Sequence, residues 1–65
     1  MSDMSFIVPT ADLDDLLRIS ANCGLSSFIT EIHRSEENTD ITLELPEDDE
    51  ALAIRTIMVF SDYEV

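Results

Sequence analysis

The chain of 65 residues has no lysine and no tryptophan, and only one glycine, one cysteine and one histidine. With Cys23 alone, no internal disulfide can form, and Cys23 and His33 together fall short of any zinc-ligand set. A lone Gly24 excludes the glycine-rich loops that cradle phosphates. Only three residues are basic, Arg18, Arg34 and Arg55, against 15 Asp and Glu, a formal net charge of −12. That balance excludes nonspecific attraction to nucleic acid or to an anionic membrane. The longest apolar run falls far short of the roughly 20 residues that span a bilayer. The first residues, Met1-Ser2-Asp3-Met4, carry neither the positive charge nor the apolar stretch of a signal or transit peptide. The expected setting is therefore the cytoplasm, or a host cytoplasm if the source is viral, which also suits an unpaired thiol.

What the chain does contain is one small domain's worth of alternating and helical patterns over 1–65, with 1–4 and 61–65 expected to fray. A chain of this size buries only about 60% of its unfolded surface, so its own core leaves stability marginal. The segment 6–8, Phe-Ile-Val, is short and apolar, and Pro9 closes it as a first strand. Thr10 is the expected N-cap of a helix over 11–23 with Asp12, Asp14 and Asp15 in its first turn. Leu13, Leu16, Leu17 and Ser20 share its inner face. Gly24 follows in the place of a left-handed C′ residue, with Leu25 as its apolar companion.

From 27 to 34 the pattern has period two, Phe28, Thr30 and Ile32 on one side and Ile29, Glu31 and His33 on the other, which predicts a strand. The stretch 41–45 alternates in the same way, so the two strands form a hairpin around a polar loop in which Asn38 is the expected positive-φ residue. Pairing Ile32 with Leu43 would oppose Glu31 to Glu44. A register shifted by two residues is expected instead.

The segment 46–60 is the most informative. Pro46 and the acidic run Glu47, Asp48, Asp49 and Glu50 predict a helix start. Behind it, Ala51, Ile54, Ile57, Met58 and Ser61 fall on one side and are expected to face the sheet. Leu52, Arg55, Val59 and Phe60 fall round from them and are the expected homodimer interface, since a helix apolar nearly all round needs cover on two sides. A buried strand over 54–60 is the alternative. The order β-α-β-β-α predicts an α+β fold, a truncated split βαβ arrangement with a three-stranded sheet and both helices on one face.

No nucleophile–base pairing accompanies the carboxylates, so no catalytic, cofactor or metal site is assigned and the chain is not expected to be an enzyme. The 48–50 cluster lacks the alternation and turn glycine of a calcium loop. Instead, Asp12, Asp14 and Asp15, then Glu36, Glu37 and Asp40, then Glu47, Asp48, Asp49 and Glu50, form three acidic clusters suited to a basic protein surface. In size and charge the chain resembles the small acidic proteins that phages direct against host enzymes. The expected function is an interaction or inhibitor protein that blocks a basic, nucleic-acid-binding partner without itself binding nucleic acid or membrane. The alternative is a structural or assembly subunit docking through the apolar face of the second helix.

Overall fold

The computed structural model describes residues 2–65. Strand β1 spans Ser2–Pro9, and a single 3-10 turn, Thr10–Asp12, leads into helix α1, Leu13–Asn22. A second 3-10 turn, Ser26–Phe28, leads into β2, Ile29–Arg34, which is followed by β3, Asn38–Leu45, and helix α2, Glu50–Ser61. The sheet order is β1-β3-β2, with both outer strands antiparallel to β3. β1 and β2 are thus parallel to one another, joined through α1 and separated by β3, which is the split βαβ arrangement.

Period-two alternation on β3 sorts the whole molecule. Thr39, Ile41, Leu43 and Leu45 are buried, and Phe6 and Val8 of β1 lie beside them. Leu13, Leu16 and Ser20 of α1 and Leu52, Thr56 and Phe60 of α2 complete one core with Leu25. Both helices therefore cover the same face of the sheet. The other face, with Asp3, Ser5 and Ile7 of β1 and Asp40, Thr42 and Glu44 of β3, has no layer over it.

Several local expectations hold. Gly24 has φ +75°, and the end of α1 is closed by Gly24 N–H donating to Ala21 O at 3.2 Å and Leu25 N–H to Ser20 O at 2.8 Å, while Leu25 is fully buried. This is the Schellman pattern that a C′ glycine permits. The hairpin register pairs Ile32 with Ile41 and Glu31 with Thr42, two residues away from the arrangement that would oppose Glu31 to Glu44. The strand alternative for 54–60 is removed, because α2 runs through to Ser61.

Others are corrected. Thr10 makes no capping bond to α1; its Oγ1 donates to Ser35 O at 2.7 Å and pairs with Thr39 Oγ1 at 2.8 Å, tying the helix start to the hairpin. Asn38 has no positive φ, since Gly24 is the sole such residue among those described. The connection 35–37 is instead closed by Ser35 N–H donating to Asn38 O at 3.0 Å. In β2 a bulge between Ile29 and Glu31 breaks the period, so Ile29 pairs with Leu43 and packs against the core, whereas the sequence put it on the far side. A bulge inserts one residue and so changes which side chains share a face. Ser2, Asp3 and Met4, expected to fray, pair with Leu45, Glu44 and Leu43; Met1 lies outside the described residues. At the other end Val65 N–H donates to Ile7 O at 2.9 Å and Tyr63 packs on the core.

The largest correction is the facing of α2. Its inner residues are Leu52, Thr56 and Phe60, flanked by half-buried Ala53 and Val59, while Ala51, Ile54, Ile57 and Met58 point outward. The polar character of Thr56 hides the inner stripe in the sequence. Its hydroxyl is satisfied inside the helix, donating to Leu52 O at 2.9 Å, so burying it leaves no orphaned group. Phe60 gains more from burial than an isoleucine would, because its ring stacks on Phe6. The helix also starts later than expected. Pro46, Glu47 and Asp48 lie in a turn before it, and Asp49 is the N-cap, its carboxylate accepting from Leu52 N–H at 3.0 Å.

Candidate functional site

The uncovered sheet face is built by the same alternation that builds the core. With the odd positions of β3 turned inward, Asp40, Thr42 and Glu44 must turn outward. Pairing then brings Asp3 directly opposite Glu44, Ser5 opposite Thr42 and Ile7 opposite Asp40 from β1. From β2 it brings Glu31 opposite Thr42 and His33 opposite Asp40. Four carboxylates and one imidazole share this face. Ser5 Oγ and Thr42 Oγ1 bond across its middle at 3.1 Å, and His33 Nε2 and Glu31 Oε2 lie 3.1 Å apart along β2.

None of the three arginines lies on this face. Arg18 is on α1, where its Nη1 is 3.7 Å from Asp15 in an exposed pair of small energetic value. Arg55 is on α2, and its Nη1 donates to Cys23 O at 3.4 Å, a carbonyl at the end of α1. Arg34 pairs with buried Thr39 and so belongs to the helix side of the sheet.

The three acidic clusters do not form one patch. Thr10 N–H donates to Glu37 O at 2.9 Å, and with the Thr10–Ser35 bond this holds the start of α1 against the hairpin loop. Asp12, Asp14 and Asp15 therefore gather with Glu36 and Glu37 at one end, where Asp40 continues onto the open face. Glu47, Asp48, Asp49 and Glu50 follow the other end of β3, about 26 Å away for an eight-residue strand. The molecule extends 35 × 19 × 18 Å, so it is acidic at both ends of its long axis. Asp3, Glu31, Asp40 and Glu44 of the open face lie between these ends. Sequence reasoning missed Asp3, Glu31 and Glu44 as surface partners; the pairing of Asp3 with Glu44 needs the β1–β3 register, which no local pattern reveals.

Near the hairpin the open face dips into a shallow depression lined by Ile7, His33, Glu36, Glu37 and Asp40. Ile7 is 49% exposed there, an apolar floor ringed by acids. Such a site matches a long basic side chain, whose aliphatic stem covers apolar surface while its charged head reaches carboxylates. Among the described residues no group of three His, Cys, Asp or Glu is arranged to hold a metal ion, and no helix is long and apolar enough to cross a membrane.

Of the residues expected at a dimer interface, Leu52 and Phe60 lie in the core, Val59 is half-buried against it, and Arg55 is exposed. The apolar groups that α2 offers outward are Ile54, 58% exposed, and Met58, 66% exposed, beside Ile57 and Ala51. Comparison of the chain with protein-family models, with curated proteins and with solved structures finds no match in any of the three.

Proposed function

We propose that this protein is a small acidic interaction protein that occupies a basic, nucleic-acid-binding surface of a partner protein and so inhibits it, as an antagonist of the kind phages direct at host or defence enzymes. The contact is made by the open sheet face and by the end where α1 meets the hairpin. The observation that carries this reading is Asp3 directly opposite Glu44 on a face that holds Glu31 and Asp40 and no arginine. Like charges directly opposite across strands destabilise a sheet, so this face is arranged against the interest of the fold. Opposed carboxylates become favourable once a basic surface lies over them, and the complementarity speeds association. The depression over Ile7 supplies an anchor for one lysine or arginine of the partner. The reading keeps the cytoplasm as the setting, assigns no catalysis, and excludes direct contact with nucleic acid or membrane.

The test is competition. A partner retained on the immobilised protein at low salt is released by added duplex or single-stranded nucleic acid, and its own nucleic-acid binding is lost when the protein is present. Retention that survives saturating nucleic acid would show that the contacted surface is a different one.

The outward stripe of α2 supports a second reading, an assembly subunit that docks through Ala51, Ile54, Ile57 and Met58 onto an apolar surface. Salt separates the two, because screening weakens the acidic contact and leaves apolar docking intact. Self-association is compatible with both readings.

A further inference from the structure

The two edges of the sheet differ. At the β1 edge the tail is latched on, with Val65 N–H donating to Ile7 O at 2.9 Å. No backbone bond outside the sheet reaches 30–34 of β2 among the described residues, and every residue of β2 except Ile29 is exposed. Which groups β2 turns outward follows from the hairpin closure. Ser35 N–H donates to Asn38 O, so in an antiparallel ladder the pairs His33–Asp40 and Glu31–Thr42 also exchange bonds inward. The N–H and C=O groups of Ile32 and Arg34 therefore point away from β3. The latch at the far edge agrees with this alternation, since Ile7, across from Asp40, turns its carbonyl outward.

We infer that the β2 edge pairs with the β2 edge of a second copy of this chain, antiparallel about a two-fold axis at Ile32, to make one continuous six-stranded sheet. The edge is self-complementary in this register. Ile32, 43% exposed, meets its own copy on the helix side, and Glu31 stands opposite His33 of the second copy twice on the open side. An imidazole offers an N–H donor to a carboxylate in either protonation state, and opposite or hydrogen-bonding cross-strand pairs favour a register. Ile32 N–H and C=O gain two backbone bonds with their copies, which removes the free edge. The tail bond at Ile7 occupies one of the outward positions of β1 and makes the two edges unlike, and pairing of β2 with β2 about a two-fold axis is isologous and closes at two. The outward stripe of α2 is a poorer candidate for the same partner, because two-fold pairing about Ile54 and Met58 sets both Arg55 side chains on the same flank. In the edge-paired dimer the two open faces are coplanar, doubling the acidic surface; the inference holds whatever that surface binds.

The test is the mass in solution of the unmodified protein and four variants by sedimentation equilibrium from micromolar to millimolar concentration. The unmodified chain is expected to reach twice 7.3 kDa, with the Ile32 and Arg34 amides slowed in hydrogen exchange as the concentration rises. Ile32→Lys is expected to halve the mass while keeping the circular dichroism of the fold. Glu31→Lys is expected to do the same, and the swap Glu31→Lys with His33→Glu to restore the dimer. Met58→Asp, on the outward side of α2, is expected to leave the mass doubled. A chain that stays at 7.3 kDa throughout, or a dimer dissolved by Met58→Asp and untouched by Ile32→Lys, overturns the inference.

Discussion

The rings of Phe6 and Phe60 stack at a centroid distance of 4.9 Å and an interplanar angle of 26°, joining the first strand to the last turn of the second helix. Phe60 is fully buried and Phe6 nearly so, and this pair closes the core between two residues that are more than fifty positions apart in the chain. Truncating Phe60 to Ala removes a core ring at a cost of about 3–5 kcal/mol. A domain this small holds only about that much stability. Phe60→Ala is therefore expected to be unfolded at room temperature, seen as collapsed amide dispersion in an NMR spectrum, whereas Phe60→Leu stays folded with a lowered thermal midpoint.

Ser20 presents the opposite case. Its hydroxyl is completely buried in α1 and finds no hydrogen-bond partner. An unpaired buried hydroxyl costs about 1–3 kcal/mol, and alanine is the better helix former. Ser20→Ala is expected to raise the denaturation midpoint without changing the slope of the transition, measured by urea titration. A lowered midpoint would mean that the hydroxyl is satisfied in solution.

Gly24 separates conformation from packing. A Cβ added there meets nothing within 4 Å, yet the backbone φ is +75°. Gly24→Ala is expected to cost about 1 kcal/mol from backbone strain alone. For a domain of this size that lowers the thermal midpoint by about 4–8 °C. Gly24→Asn, which tolerates the left-handed region better, is expected to recover part of the loss.

Asp3 and Glu44 set the electrostatic prediction. Relieving a like-charge pair across two strands returns up to about 1 kcal/mol. Asp3→Asn is expected to raise the thermal midpoint at low salt, and the gain shrinks as salt screens the pair. The unmodified protein, with 15 carboxylates against three arginines, is likewise expected to melt at a higher temperature in moderate than in low salt. Equal midpoints at all salt concentrations would show that the charges are already compensated.

Much of the fold could be read in the sequence because its signals are local. The alternation of 41–45, the leucine spacing of α1 and the place of Gly24 each declare one element, and avoiding Glu31 against Glu44 called for a two-residue shift of the hairpin, whose direction only the pairing of Ile32 with Ile41 decides. The facing of α2 could not be read the same way. Leu52, Thr56 and Phe60 form its inner stripe only because the Thr56 hydroxyl returns to the Leu52 carbonyl and Phe6 receives Phe60, and the second of these is a long-range fact. The acidic clusters were visible as runs, but their division between two ends depends on the Thr10 bonds to the hairpin and on β3 separating Glu37 from Glu47. The open face depends on register in the same way: Asp3 and Glu44 are unremarkable until β1 and β3 are paired.

The proposed partner contact is the open sheet face. It is tested most directly by neutralising Asp3, Glu31, Asp40 and Glu44 together as amides and comparing the proteins that the variant and the unmodified chain retain from a host extract at low salt. Met58→Asp serves as the control on the helix side. The amide variant is expected to stay folded and lose the basic partner, while Met58→Asp keeps it and high salt abolishes retention by every form. Undiminished retention by the amide variant, with loss through Met58→Asp, would contradict it and transfer the function to α2.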